Sequence, residues 1–253
     1  IDEAIRHGLT KMAHLHFVAA PEFAQRVIQL GEAPERVFTV GAVGLDSIAR
    51  EPVLYIVELQ SSLGVELGKR NLLITFHPVT LEAGSASVQI KSLLLALDAF
   101  PDVHTFITLP NSDMEGKEIS GLIHEYVART PRAACFTSLG QARYHSLMHH
   151  VDGVVGNSSS GLIEAPAMHK PTVNIGLRQA GRLRATSVID CDPETDSIIE
   201  AIRSIYSDEF QSRLTSIINP YGVPGGSAKV VEILETAPLE DILMKRFHDQ
   251  ELS

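Results

Sequence analysis

Cysteine is scarce. Only Cys135 and Cys191 occur among 253 residues, both in apolar, strand-like surroundings, which argues against a disulfide-stapled scaffold and fits a reducing compartment. Positive charge is also in deficit. Lys and Arg number 21 against 31 Asp and Glu, for a formal net charge of -10, and this opposes broad contact with a nucleic-acid backbone. Any anion site must therefore be local. No run approaches about eighteen apolar residues, so no membrane-spanning helix is expected, and the opening residues lack a secretory pattern. Internal repeats and low-complexity tracts are missing too. The expectation is a soluble, cytoplasmic protein without nucleic-acid or membrane partners. Its length suits one large domain or two modest ones.

From Asn71 onward the chain alternates apolar strand-like runs with amphipathic helical stretches. Strands are expected at 72–76, 103–109, 133–137, 151–155, 172–175 and 187–190, and helices at 82–100, 114–129, 141–149 and 161–168. Further helices are expected around 198–205, 229–235 and 239–247. Such alternation implies a doubly wound α/β domain, a parallel sheet covered on both faces. Before it come a helix over 2–12, a strand over 14–19, a helix over 21–30 ending at Gly31, and a strand over 36–40. These pieces have too few strands for a full sheet of their own. The first residue is Ile1, and residues 1–7 read like the interior of a helix with alternating charge, so an N-terminal truncation is expected.

In a doubly wound sheet, ligands bind outside the carboxyl ends of the strands. The residues following the strands here are His77-Pro78, Pro110-Asn111, Ser138-Leu139, Gly156-Asn157-Ser158-Ser159-Ser160-Gly161, and Gly176-Leu177-Arg178. One rim thus gathers an imidazole, an amide, a serine cluster and a guanidinium, with Glu164 a helical turn beyond the serines. The serine stretch joins a strand to a helix start, where unpaired N–H groups and the helix dipole favour an anion. A Ser-rich helix cap is the plainer reading. A capping box, however, wants Ser and Glu three apart, and Ser160 and Glu164 are four apart, which frees Glu164 to face a ligand. His14/His16 and His149/His150 lack accompanying metal-ligand spacing and read as structural.

Four stretches together resemble the hydrolysing UDP-N-acetylglucosamine 2-epimerases of sialic-acid-type sugar synthesis. They are Ile5–Met12 with His14–Phe17, Val40-Gly41 to Leu45-Asp46, Phe76–Thr80, and Gly156–Gly161 to Glu164 with Arg178. The resemblance spans nearly the whole chain. It implies a glycosyltransferase-B-like fold with two Rossmann-like halves. Residues 1–49 would be a remnant of the N-terminal half and linker, and residues 50–253 the nucleotide-binding half with its C-terminal helices.

By the same resemblance Ser158 and Ser159 look like diphosphate ligands and Glu164 like the ribose ligand, with Ser160 and Gly161 also expected to bind substrate. Arg178 and His77 look like cleft residues near diphosphate and sugar, while Asn111 and the main chain at Leu139 neighbour the nucleotide. Asp2, Arg6 and His7 match a segment that enters the family's cleft, Asp2 being similar to an acid–base carboxylate. Asp2, His7 and His77 are the candidate catalytic residues. The family carries further acidic catalytic residues ahead of the position where this chain begins. The implied reaction converts UDP-N-acetylglucosamine and water to N-acetylmannosamine and UDP, with no metal or redox cofactor and with a homo-oligomeric dimer or tetramer. A UDP-sugar glycosyltransferase of the same fold and a nucleotide-binding module without turnover are the competing readings.

Overall fold

The computed structural model describes residues 2–78, 86–110, 114–238, 240 and 242–249. They form two compact units, one of residues 1–50 with 220–253, the other of residues 51–219.

The first unit begins with α1 (Asp2–Met12), β1 (His16–Val18), α2 (Pro21–Gln29), β2 (Val37–Thr39) and the short α3 (Asp46–Arg50). The strands β1 and β2 pair in parallel, Phe17 opposite Phe38, with their rings stacked at 5.8 Å. Pro21 opens α2, where its missing N–H costs nothing. His16 is buried and its Nε2 stands 2.9 Å from the buried Glu32 carboxylate, which also binds Lys11 at 2.7 Å and Lys245 at 2.6 Å. His16 is thus tied into a buried cluster of charged side chains.

The second unit contains α4 (Ile56–Leu63), β3 (Arg70–Thr75), α5 (Ala86–Asp98), β4 (Val103–Thr108), α6 (Met114–Arg129), β5 (Ala133–Phe136) and α7 (Gly140–His150). It continues with β6 (Gly153–Gly156), α8 (Ser160–Ala167), β7 (Thr172–Ile175), β8 (Val188–Cys191), α9 (Thr195–Ile205) and α10 (Asp208–Arg213). All six strands are parallel, in the order β5-β4-β3-β6-β7-β8. Residues 71–76 are buried throughout, because a parallel strand at the sheet centre has no solvent face. Leu72, Ile74 and Phe76 enter one core with Ile90, Ile123 and Ile202, while Leu73 joins Leu59, Phe106, Leu147 and Met148 on the opposite side. The two free thiols lie on β5 and β8, the opposite edges of the sheet. Burial and the carboxylates of Asp192 and Asp190 push the Cys191 thiol up to about 12.

After Asn219 the chain returns to the first unit as α11 (Gly226–Thr236). The sequence reading groups residues 220–253 with the nucleotide-binding half, whereas the described residues among them fall in the unit of residues 1–50. Asp46 explains the return. Its Oδ1 accepts the N–H groups of Gly225 (2.5 Å) and Gly226 (3.1 Å), and its Oδ2 accepts that of Ser227 (2.7 Å), capping α11 from 180 residues away. These bonds, with the Ser227 side chain foremost, hold the Asp46 carboxyl well below the usual carboxylate range.

The expected helix over 239–247 does not form among the described residues, which run as turn and irregular chain. The Leu, Ile and Phe spacing there imitates a helical stripe, yet tertiary contacts override it. Phe247 lies over Gly31, the His248 N–H donates to the Gly31 carbonyl (2.9 Å), and Lys245 donates to Thr10 and Ala13 carbonyls.

Candidate functional site

The chain winds outward from the sheet centre in both directions, β3 to β5 one way and β6 to β8 the other. The carboxyl ends of β3 and β6 therefore flank the point where strand order reverses, and a crevice opens there. Gly156 ends β6 with φ +141°, and a Cβ on it would sit 2.0 Å from the Thr75 carbonyl oxygen. Only glycine permits this approach.

Asn157 follows, buried, and fastens the two diverging chains. Its Oδ1 accepts the His77 N–H and its Nδ2 donates to the His77 carbonyl, both at 2.8 Å. Its own N–H donates to the Thr75 carbonyl at 3.1 Å, and its carbonyl accepts Arg178 Nη1 (3.0 Å) and Gln179 Nε2 (2.7 Å). The side-chain amide acts as one extra ladder residue, so His77 and Arg178 are both held relative to the serine turn.

Ser159 is the N-cap of α8, but its hydroxyl makes no cap bond and, among the described residues, has no hydrogen-bond partner. The neighbouring hydroxyls are linked instead. Ser160 Oγ lies 3.1 Å from Ser158 Oγ and 2.6 Å from Tyr144 Oη, and Tyr144 has a looser 3.5 Å contact to Thr75, itself 2.8 Å from Thr108. The amides of Ser160 and Gly161 make only long bonds, to Ser158 Oγ (3.4 Å) and the Ser158 carbonyl (3.3 Å), while those of Ser158 and Ser159 have no partner among the described residues. A helix start carries roughly half a positive charge, so such a turn is a ready anion site.

Gly161 sits further back. A Cβ there would be 2.7 Å from Thr172 Cγ2, and the Thr172 hydroxyl donates to its carbonyl at 2.7 Å, so this glycine lets α8 pack closely on β7. Four residues after Ser160, and so on the same helical face, Glu164 presents its carboxylate, 27% exposed, 3.3 Å from the buried imidazole of His145. Tyr144, His145, Ser159, Ser160 and Glu164, with Thr75, His77, Thr108, Leu139 and Ser158, line a cleft of about 430 Å³. That volume falls within the roughly 300–1,000 Å³ of small-molecule sites.

His77 is half-buried. Burial, and secondarily the Arg178 guanidinium, push its pKa below the ordinary value of 6.5, so the neutral imidazole prevails at neutral pH and can accept a proton. For stability the sign is that of a depressed group: the contribution is present above pH 6.5 and is lost as pH falls through the lowered value. Imidazole NMR should give a His77 midpoint below 6.5 that rises in Arg178→Gln. A midpoint at or above 6.5 would contradict the packing of this ring.

Of the residues singled out from sequence, the second unit brings His77, Leu139, Ser158, Ser159, Ser160 and Glu164 to one cleft, with Arg178 bonded beside it to the Asn157 carbonyl. Asp2, Arg6 and His7 lie on α1 of the first unit, Arg6 and His7 exposed, with the Asp2 side chain outside the described part. Asn111 lies outside the described residues. Sequence reasoning assigned no role to Asn157, Tyr144 or His145. The last two come from the middle of α7, where Tyr-His-Ser-Leu-Met reads as ordinary core. Among the described residues no cluster of three His, Cys, Asp or Glu could hold a metal, and no helix is long and apolar enough to cross a membrane.

The sequence model of a family described as UDP-N-acetylglucosamine 2-epimerase matches residues 1–235. A Campylobacter jejuni protein named GDP/UDP-N,N'-diacetylbacillosamine 2-epimerase (hydrolyzing) is 36% identical over 98% of this chain and 65% of its own length. A Legionella pneumophila protein named UDP-N,N'-diacetylbacillosamine 2-epimerase (hydrolyzing) is 32% identical over 97% of this chain and 64% of its own. The chain thus spans just under two thirds of the length of these relatives. Among solved structures, the S. aureus MnaA-UDP co-structure superposes with a TM-score of 0.72 at 15% identity, covering 96% of this chain and 64% of that one. The Neisseria meningitidis UDP-GlcNAc 2-epimerase bound to UDP-GlcNAc gives 0.69 at 18% identity, covering 89% and 62%. Both likenesses bear on the fold, which is glycosyltransferase-B-like.

Proposed function

The chain belongs to the UDP-N-acetylglucosamine 2-epimerase family, and on that premise we propose that its crevice holds the UDP of a UDP-linked 2-acetamido sugar during hydrolytic 2-epimerisation. The observation that carries the reading is the start of α8. A serine turn there has, among the described residues, unpartnered amides at Ser158 and Ser159 and an unpartnered Ser159 hydroxyl, and Glu164 stands one helical turn beyond, in the crevice where strand order reverses.

In the reaction a base takes the proton from C2 of the sugar, and the C1–O bond breaks with its electron pair leaving on UDP. Water then adds across the resulting double bond, hydroxyl to C1 and proton to C2. Charge builds on the β-phosphate as UDP leaves, and fixed donors at a helix start stabilise it without reorganising. Glu164, acceptor-only when ionised, suits the ribose hydroxyls. The neutral His77 imidazole suits proton transfer near the sugar. Acid–base and binding roles for Asp2, Arg6 and His7, a nucleotide contact for Asn111, a homo-oligomeric assembly and a cytoplasmic location rest on the resemblance alone.

The sugar is either N-acetylglucosamine or N,N'-diacetylbacillosamine. The names of the two relatives at 36% and 32% identity favour the latter. Incubation with each UDP-sugar in deuterium oxide tests the reading. The expected products are UDP and a free sugar inverted at C2 and bearing deuterium there. UDP release only with an added acceptor would instead make the protein a glycosyltransferase, and UDP binding without release would make it a binding module.

A further inference from the structure

Helix α7 touches α8 with two adjacent side chains that no feature of the reaction requires in themselves. Tyr144 bonds Ser160 at 2.6 Å, and His145 lies 3.3 Å from Glu164, one helical turn further along. The His145 side chain is 7% exposed. Its Nδ1 is buried without a hydrogen-bond partner, and among the described residues the Glu164 carboxylate is the one polar group within ion-pair reach of its Nε2. Glu164, for its part, is one-quarter exposed and has His145 as its partner there.

A buried imidazole with one nitrogen orphaned is costly to retain for packing alone. With the proton on Nε2, the orphan is an acceptor, which is less costly to bury unpaired than a donor. Nε2 then faces Glu164 Oε2 and restrains the rotamer of a side chain that otherwise has three free torsions. We propose that His145 is a positioning residue for Glu164, fixing one carboxylate oxygen so that the other is presented to the ribose diol.

The inference rests on the reading of Glu164 as the ribose ligand, and the test separates the two. Affinities for UMP, for its 2′-deoxy analogue and for inorganic pyrophosphate are measured by calorimetry on wild type, Glu164→Ala, His145→Leu and His145→Gln. The preference for UMP over the deoxy analogue should fall roughly two- to tenfold in His145→Leu, the net worth of about one hydrogen bond. Pyrophosphate affinity should hold, and His145→Gln, whose amide can donate over the same gap, should restore most of the preference.

A preference retained in His145→Leu but lost in Glu164→Ala would overturn the positioning role while sparing the ribose reading. A preference unchanged in Glu164→Ala would overturn both. Should leucine unfold the unit, His145→Asn, polar but too short to reach Glu164, carries the same comparison.

Discussion

Replacing Gly156 by alanine is expected to destabilise residues 51–219 by about 3–5 kcal/mol, combining backbone strain with overpacking of the sheet. The added methyl would sit 2.0 Å from the Thr75 carbonyl oxygen and 2.7 Å from its carbon, both backbone atoms of the central strand that cannot swing aside. The φ of +141° is moreover one that L side chains rarely adopt. Thr75 and Gly156 are register partners across β3 and β6, so relief would require those strands to part at the crevice. A unit of this size should lose roughly 2–4 °C in melting midpoint per kcal/mol. A shift of some 6–20 °C in the calorimetric transition is therefore expected, with nucleotide binding lost at temperatures where wild type binds. An unchanged midpoint would mean that Gly156 is not needed for closure.

The double substitution Ser158→Ala and Ser159→Ala is expected to leave the fold intact and weaken UDP binding ten- to a hundredfold or more. Hydrogen bonds to a charged partner are worth about 1.5–3 kcal/mol each. Ser159 has a hydroxyl uncommitted among the described residues and should contribute directly. Ser158 also supports Ser160 at 3.1 Å, so its loss loosens the hydroxyl chain toward Tyr144. Inorganic pyrophosphate should lose affinity in parallel, because the proposed reading sets the serines against phosphate and not ribose. Calorimetry showing wild-type affinity for both ligands would remove the serine turn from the site.

The doubly wound sheet was legible because β3, β4, β6 and β7 are apolar runs of strand length punctuated by Gly, Pro and Asn, with helices of proper period between them. The crevice was legible for the same reason. Once strands alternate with helices, the residues after each strand must share one rim, which is where His77, Leu139, Ser158 and Glu164 meet.

The supports of that rim were not legible. Tyr144 and His145 reach α8 across 15 to 20 residues of sequence, and nothing in their local pattern distinguishes a core aromatic from one hydrogen-bonded to a cleft-lining serine. Asn157 was in plain view as a member of the serine stretch, with no role of its own. Its work depends on the His77 backbone, 80 residues away.

The C-terminal segment was misread for a related reason. Helical spacing after Pro238 is real, but Lys245 and Phe247 gain more by lying against Glu32 and Gly31 than by forming an isolated turn. Asp46 likewise binds the start of α11 through long-range bonds that no local motif announces. Local propensity decides elements, and contacts distant in sequence decide where their ends go.

The most direct measurement is a titration of the isotopically labelled chain with UDP, followed by amide chemical shifts. The largest perturbations are expected at Ser158 to Leu162, at Leu139 to Gln141 and at His77, saturating together with one dissociation constant. Perturbations concentrated away from the carboxyl ends of β3 and β6, with the amides of 158–162 unmoved at saturation, would contradict nucleotide binding in this crevice.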